Sequence, residues 1–82
     1  MLRVSVISPE AVLFEGESES VVAPAHDGEV GILTGHAPLM ALLGEGELRL
    51  GSAGGRRFNV SGGFMQVLDN QVRVVTEKAT AA

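Results

Sequence analysis

The chain has 82 residues and no cysteine, so it reads as one small domain with neither a disulfide nor a thiolate zinc site to hold it together. Ten acidic against six basic residues give a net charge of −4, and the aromatics are Phe14, Phe58 and Phe64 alone. This argues against nucleic-acid binding by phosphate neutralisation or base stacking. No apolar run approaches the ~20 residues of a bilayer-spanning helix. Residues 1–9 hold one basic residue and no hydrophobic signal segment. The expectation is a soluble, cytosolic domain that meets a membrane only through a partner.

Leu2, Val4 and Val6 alternate with Arg3 and Ser5, the period of a half-buried strand, until Pro9 and Glu10 interrupt it. Val12 to Glu19 resumes the alternation around Phe14, with Gly16 predicting a bulge or bend. Glu15, Glu17 and Glu19 share one face, which reads as a solvated or edge-protecting charged row. Val21 to Pro24 is apolar and closes in a polar turn, Ala25-His26-Asp27-Gly28. Gly28 to Met40, with Gly31, Gly35, His36 and Pro38, predicts a tightly shaped loop. Leu39 to Leu43, between Pro38 and Gly44, is too short for a helix and is expected to be a strand.

Gly44-Glu45-Gly46 predicts a turn, Glu47 to Leu50 a strand, and Gly51 to Gly55 a hairpin connection. Arg57 to Val60 should turn Phe58 and Val60 inward, before a corner at Ser61-Gly62-Gly63. Phe64 to Leu68 and Val72 to Thr76 form a hairpin through Asp69-Asn70, which tolerate the left-handed backbone a tight turn needs. Residues 79–82 are expected to be a frayed tail outside a domain spanning 1–78. Some eight to ten short strands with regular turn signals fit an all-β antiparallel sandwich or barrel. A core of this size supplies about 3–5 kcal/mol, which favours an assembly component.

Chemistry is hard to place on this chain. Gly44-Glu45-Gly46 starts like a dinucleotide fingerprint, but Arg49 stands where the third glycine belongs. Asn59 to Gly63 falls one glycine short of a nucleophile elbow. His26 and His36, with Asp27 and Glu29, match no metal-ligand spacing. Lys78, the single lysine, sits on no hairpin, which excludes a lipoyl or biotinyl carrier domain. His36 is then either a turn histidine held by a backbone hydrogen bond or an interface contact. No catalytic, cofactor-binding or metal residue is assigned.

Several stretches taken together carry a resemblance. Ser8-Pro9-Glu10, Val12-Leu13-Phe14-Glu15-Gly16-Glu17 and Val21-Val22-Ala23-Pro24 come first. Gly28-Glu29-Val30-Gly31-Ile32-Leu33, Gly35-His36-Ala37-Pro38-Leu39 and Val60-Ser61-Gly62-Gly63-Phe64 follow. In this order they resemble the epsilon subunit of F-type ATP synthases up to about Lys78, the GHAPL and SGGF fragments being the specific part.

The resemblance implies a ten-stranded sandwich of two five-stranded sheets. It implies a non-catalytic rotor subunit of the central stalk in the proton-translocating complex, with the gamma subunit and the c-subunit ring as partners. Such a subunit lies peripherally on the cytoplasmic face of a cell or thylakoid-type membrane. It also implies a c-ring contact at Asp27, Gly28, Glu29, Val30 and Gly31, where acidic groups would meet basic loops. A gamma contact is implied at His36, Ala37, Pro38 and Leu39. Most relatives continue into two inhibitory helices after the position of Ala82, so the expectation is a naturally short subunit to which inhibition and nucleotide binding do not carry over. The competing expectation is a stand-alone β-sandwich binding module that uses loop 28–40 as a lip.

Overall fold

A computed structural model of the chain describes residues 1–51 and 55–82. The strands are β1 (Leu2–Ile7), β2 (Val12–Ser18), β3 (Ser20–Ala25), β4 (Gly28–Leu33), β5 (Leu39–Leu42), β6 (Glu45–Leu50), β7 (Arg57–Ser61), β8 (Phe64–Leu68), β9 (Gln71–Val75) and β10 (Lys78–Ala81). They form two five-stranded sheets, ordered β2-β1-β9-β8-β5 (sheet 1) and β10-β7-β6-β3-β4 (sheet 2). The expected all-β sandwich is therefore the fold. The period-2 pattern builds its core: Leu2, Val4, Val6, Met65, Val67, Val72 and Val74 from sheet 1 meet Val21, Ala23, Ile32, Leu48, Leu50, Phe58 and Val60 from sheet 2.

Pairing is antiparallel except at the centre of sheet 1, where β1 and β9 run parallel, Val4 beside Val72 and Val6 beside Val74. The reason is topological. The hairpins β1–β2 and β8–β9 join through strands that both run the same way, with most of the chain as the crossover between them. The bulge on β2 falls at Leu13, because Val6 pairs Phe14 while Ile7 pairs Val12. At Gly16, where the sequence predicts it, the ladder is regular. A Cβ there would lie 3.3 Å from the Phe14 ring, so this glycine leaves room for that ring.

Four further expectations are corrected. Gly28 to Leu33 is strand β4, not loop, and forms an edge of sheet 2. Gly44-Glu45-Gly46 is not a turn: β6 already begins at Glu45, and the N–H of Gly44 donates to the Pro24 carbonyl at 2.8 Å. Residues 79–82 are not a frayed tail, since Lys78 to Ala81 pair with β7 and cover its outer edge. The sandwich is not wholly antiparallel, for the reason given. The expected hairpin connection at 51–55 falls in part on residues 52–54, outside the described residues. The Asp69-Asn70 turn stands as expected, with φ of 49° and 61°.

Both ways of closing the sandwich are visible. On one flank the Arg56 guanidinium lies 5.6 Å from the Phe14 ring centre and 5.3 Å from that of Phe58, bridging the two sheets by cation–π contact. At the β7–β8 corner the chain passes from sheet 2 to sheet 1 through Gly62 (φ 71°) and Gly63 (φ 102°). A Cβ on Gly63 would overlap the Val75 carbonyl and lie 2.7 Å from the Thr76 Cα. The buried Thr76 hydroxyl sits 2.9 Å from the Lys78 carbonyl and 3.0 Å from that of Gly62, tying the corner to β10. Gly63→Ala should therefore cost about 3 kcal/mol or more in urea unfolding, against about 1 kcal/mol for Thr76→Val. A Gly63→Ala protein as stable as the parent would refute the close approach.

Candidate functional site

Strand β4 separates the two groups of residues singled out in the sequence. It starts beside Ala25 and ends beside Ser20, and its six residues cover roughly 20 Å at a strand's rise. The His26–Asp27 turn thus lies at one end of the sandwich, together with Gly44, the Ser8–Ala11 turn, the Ser61–Gly63 corner and Glu77. The Thr34–Pro38 connection lies at the other, with the Asp69–Asn70 turn. His26 and His36 are carried apart by this strand, so they do not converge with Asp27 and Glu29 on one point. Among the described residues no three His, Asp or Glu side chains do so.

At the Gly44 end, Asp27 is exposed in the turn and Gly28 opens β4 with φ 133°. Glu29 points out from the face of sheet 2 and is engaged: Arg49 on β6 reaches across β3 to place Nη1 at 3.3 Å from Oε2 and Nη2 at 3.4 Å from Oε1. The same guanidinium lies 3.9 Å from Glu47. Glu29 is therefore half of a two-pronged ion pair, not a free acidic tip. Val30 is half-buried against the core, and Gly31 is exposed. The unshared acidity lies beyond the strand, where Glu10, Glu45 and Glu77 surround a cleft of 530 Å³ that also includes Lys78.

At the opposite end, Gly35 takes φ 87° and donates its N–H to Asn70 Oδ1 at 2.6 Å. The His36 N–H donates to the Leu33 carbonyl at 3.1 Å, and its Nδ1, when protonated, donates to the Ala37 carbonyl at 2.7 Å. His36 thus makes the turn-fixing bond that the sequence offered as one of its two readings. Ala37 and Pro38 are exposed, and Pro38 and Leu39 line a shallow 300 Å³ groove with Met40, Gln66, Val67 and Leu68. Residues 28–40 do not act together as the lip of one pocket. They are an edge strand with different surroundings at its two ends.

The sheet faces add a feature that sequence reading missed. On the outer face of sheet 1 the register aligns Leu42, Phe64, Val75, Ile7 and Val12 into one row crossing all five strands. Leu42 is 68% and Val12 59% exposed, and Met40, at 61%, adjoins the row on β5. The outer face of sheet 2 instead presents Glu29, Arg49, Arg57, Glu47, Asn59, Thr80, Glu45 and Lys78. Sheet 1 thus carries an apolar row across its outer face, and sheet 2 a mostly charged face with Leu33, 65% exposed, at its β4 edge. The row was hidden because its members come from five distant strands, and only the register brings them into line.

Comparison with known proteins gives the family. The model of the ATP synthase delta/epsilon chain β-sandwich domain matches residues 1–82. The ATP synthase epsilon chain of Leptospira borgpetersenii is 49% identical over 78 residues, covering 93% of this chain and 61% of the relative. That of Syntrophomonas wolfei is 46% identical over 76 residues, covering 90% and 56%. The chain thus spans about three fifths of the length of the curated relatives it matches. A chain in the OSCP/F1/c-ring structure of Euglena gracilis mitochondrial ATP synthase superposes with TM-score 0.86 at 25% identity, covering 98% of this chain and 52% of that one. With this fold, the GHAPL turn and the SGGF corner in place, the chain belongs to the family of ATP synthase delta/epsilon β-sandwich domains.

Proposed function

We propose that this domain serves as the non-catalytic β-sandwich of a central-stalk rotor subunit in F-type ATP synthase. In that role it passes rotation of the c ring through gamma to the catalytic head. The observation that carries the reading is the apolar row Leu42-Phe64-Val75-Ile7-Val12 on the outer face of sheet 1. It continues along the β5 edge through Met40 to the exposed Ala37 and Pro38, while Leu39 turns its side chain to the core. The two longer axes of the domain, 28 and 25 Å, suit the roughly 800 Å² per partner of a stable interface.

The c-ring contact falls at the Gly44 end. Asp27, with Glu10, Glu45 and Glu77, faces basic polar loops there, while Gly28, Glu29, Val30 and Gly31 supply the adjoining edge of sheet 2. Charges of this kind set orientation and encounter rate more than affinity. The domain makes no bond-forming contribution of its own. It lies on the cytoplasmic or thylakoid-type face of the membrane as a peripheral protein, held through the ring.

Mixed with gamma, the chain should elute as a 1:1 complex in gel filtration at micromolar concentration. Leu42→Glu should weaken that complex at least about tenfold, because it drives a charge into an apolar contact. Thr80→Glu, on the charged face of sheet 2, should leave it unchanged. Absence of a complex, or equal loss in both variants, would refute the assignment. A second expectation concerns Glu29→Lys, which unpairs Arg49 and places two cations together. It should change stability by less than about 1 kcal/mol, since exposed ion pairs contribute little. Sedimentation of the gamma complex with isolated c rings should nonetheless drop, and drop further as salt is raised. Undiminished sedimentation would remove Glu29 from the contact.

A further inference from the structure

We infer that the Asn70 side chain positions the Gly35–Pro38 turn for docking, an inference that rests on the reading of His36–Leu39 as part of the gamma-facing surface. Asn70 and Asp69 occupy the left-handed positions of the two-residue β8–β9 hairpin, at φ 61° and 49°. Glycine fills the second such position as well as asparagine does, so the hairpin itself does not require this carboxamide. The structure uses it elsewhere. Oδ1 of Asn70 accepts the Gly35 N–H at 2.6 Å, across 35 positions of sequence, and its backbone carbonyl accepts the Arg3 N–H at 2.8 Å. The donor on Gly35 is a backbone N–H, so the side-chain atom facing it must be the oxygen.

One residue thereby joins three elements at this end: the start of β1, the β8–β9 hairpin and the β4–β5 connection. That connection, like the β7–β8 corner, carries the chain from sheet 2 to sheet 1. Its internal bonds are local, His36 N–H to the Leu33 carbonyl and His36 Nδ1–H to the Ala37 carbonyl. These shape the turn, and Leu39 anchors its far end by pairing with Val67 of sheet 1, but they do not fix where the Gly35 end stands relative to that sheet. The Asn70 bond does, because it ties Gly35 to a hairpin of that sheet. A turn already held in its docked position gives up less freedom when the partner binds.

Asn70→Gly tests this without straining the hairpin, because Asp-Gly is a preferred pair for such a turn. Amide hydrogen exchange should show Gly35 exchanging about fivefold faster, the loss expected of one modest hydrogen bond, with the β8 and β9 amides unchanged. Gamma affinity should fall about fivefold at a melting temperature close to the parent's. Asn70→Asp, which keeps both an acceptor oxygen and tolerance of positive φ, should restore both readouts. Unchanged Gly35 exchange in Asn70→Gly would overturn the tether. Faster exchange with undiminished gamma affinity would overturn its part in docking, provided Leu42→Glu weakens the same complex. If Leu42→Glu leaves the complex intact too, the gamma reading of this surface has failed, and Asn70 stands or falls on the Gly35 amide alone.

Discussion

The close approach of backbones at the Gly44 end is the constraint on which the rest of the domain depends. Gly63 runs so near Val75 and Thr76 that no side chain fits. Its carbonyl accepts from Leu43 at 2.9 Å, the Gly62 N–H donates to the Gly44 carbonyl at 3.3 Å, and the Gly44 N–H donates to the Pro24 carbonyl at 2.8 Å. The His26 N–H reaches the Leu42 carbonyl, and the Thr76 N–H reaches that of Ile7. This belt ties connections of both sheets to one another where a sandwich would otherwise leave buried backbone groups unpaired. It also explains two glycine clusters that superficially resemble chemistry. At Gly44 and Gly63 backbone passes close to backbone, while Gly62 takes φ 71° with the Glu77 side chain where a Cβ would stand.

The belt sets the register, and the register sets the surfaces. With pairing fixed, every second residue of sheet 1 must face outward, and across the strands these residues fall into an apolar row at one level and polar rows at the next. The polar rows read Met40-Gln66-Arg73-Ser5-Glu15 and Leu68-Gln71-Arg3-Glu17, with Arg3 4.0 Å from Glu15. Glu15 and Glu17 thus charge the free edge at β2, which discourages strand addition on that side. At the opposite edge, β5 carries Met40 and Leu42 outward without a charge. The sheet thus has one guarded edge and one apolar edge.

Glu29 shows how a charge changes meaning once its neighbours are known. In the sequence it is an acidic residue between Gly28 and Val30, available to any basic partner. In the fold it meets Arg49, thirty-eight per cent exposed at the side chain and brought over from β6, in a two-pronged pair. Glu29 thus shares the Arg49 guanidinium with Glu47, whereas Asp27, Glu10, Glu45 and Glu77 have no cation within ion-pair distance among the described residues.

Alternation of apolar and polar residues is enough to identify most of the strands, the shared face of Leu2, Val4 and Val6, the inward Phe58 and Val60, and the all-β class, because a period of two is a local property of the chain. The Asp69-Asn70 turn and the Ser61–Gly63 corner were likewise legible from residue chemistry. Residues 28–33 misled because closely spaced glycines look like a loop, yet an edge strand tolerates Gly28 and Gly31 when its partner β3 supplies the ladder. Lys78 to Ala81 misled because so short a strand has no pattern of its own and forms only by pairing with β7. The sequence by itself determined most of the strands, the Asp69-Asn70 turn and the family signature. Tertiary structure alone decided the parallel β1–β9 pairing, the apolar row, the Glu29–Arg49 pair and the Asn70–Gly35 bond, because each joins residues whose proximity exists only after both sheets have closed.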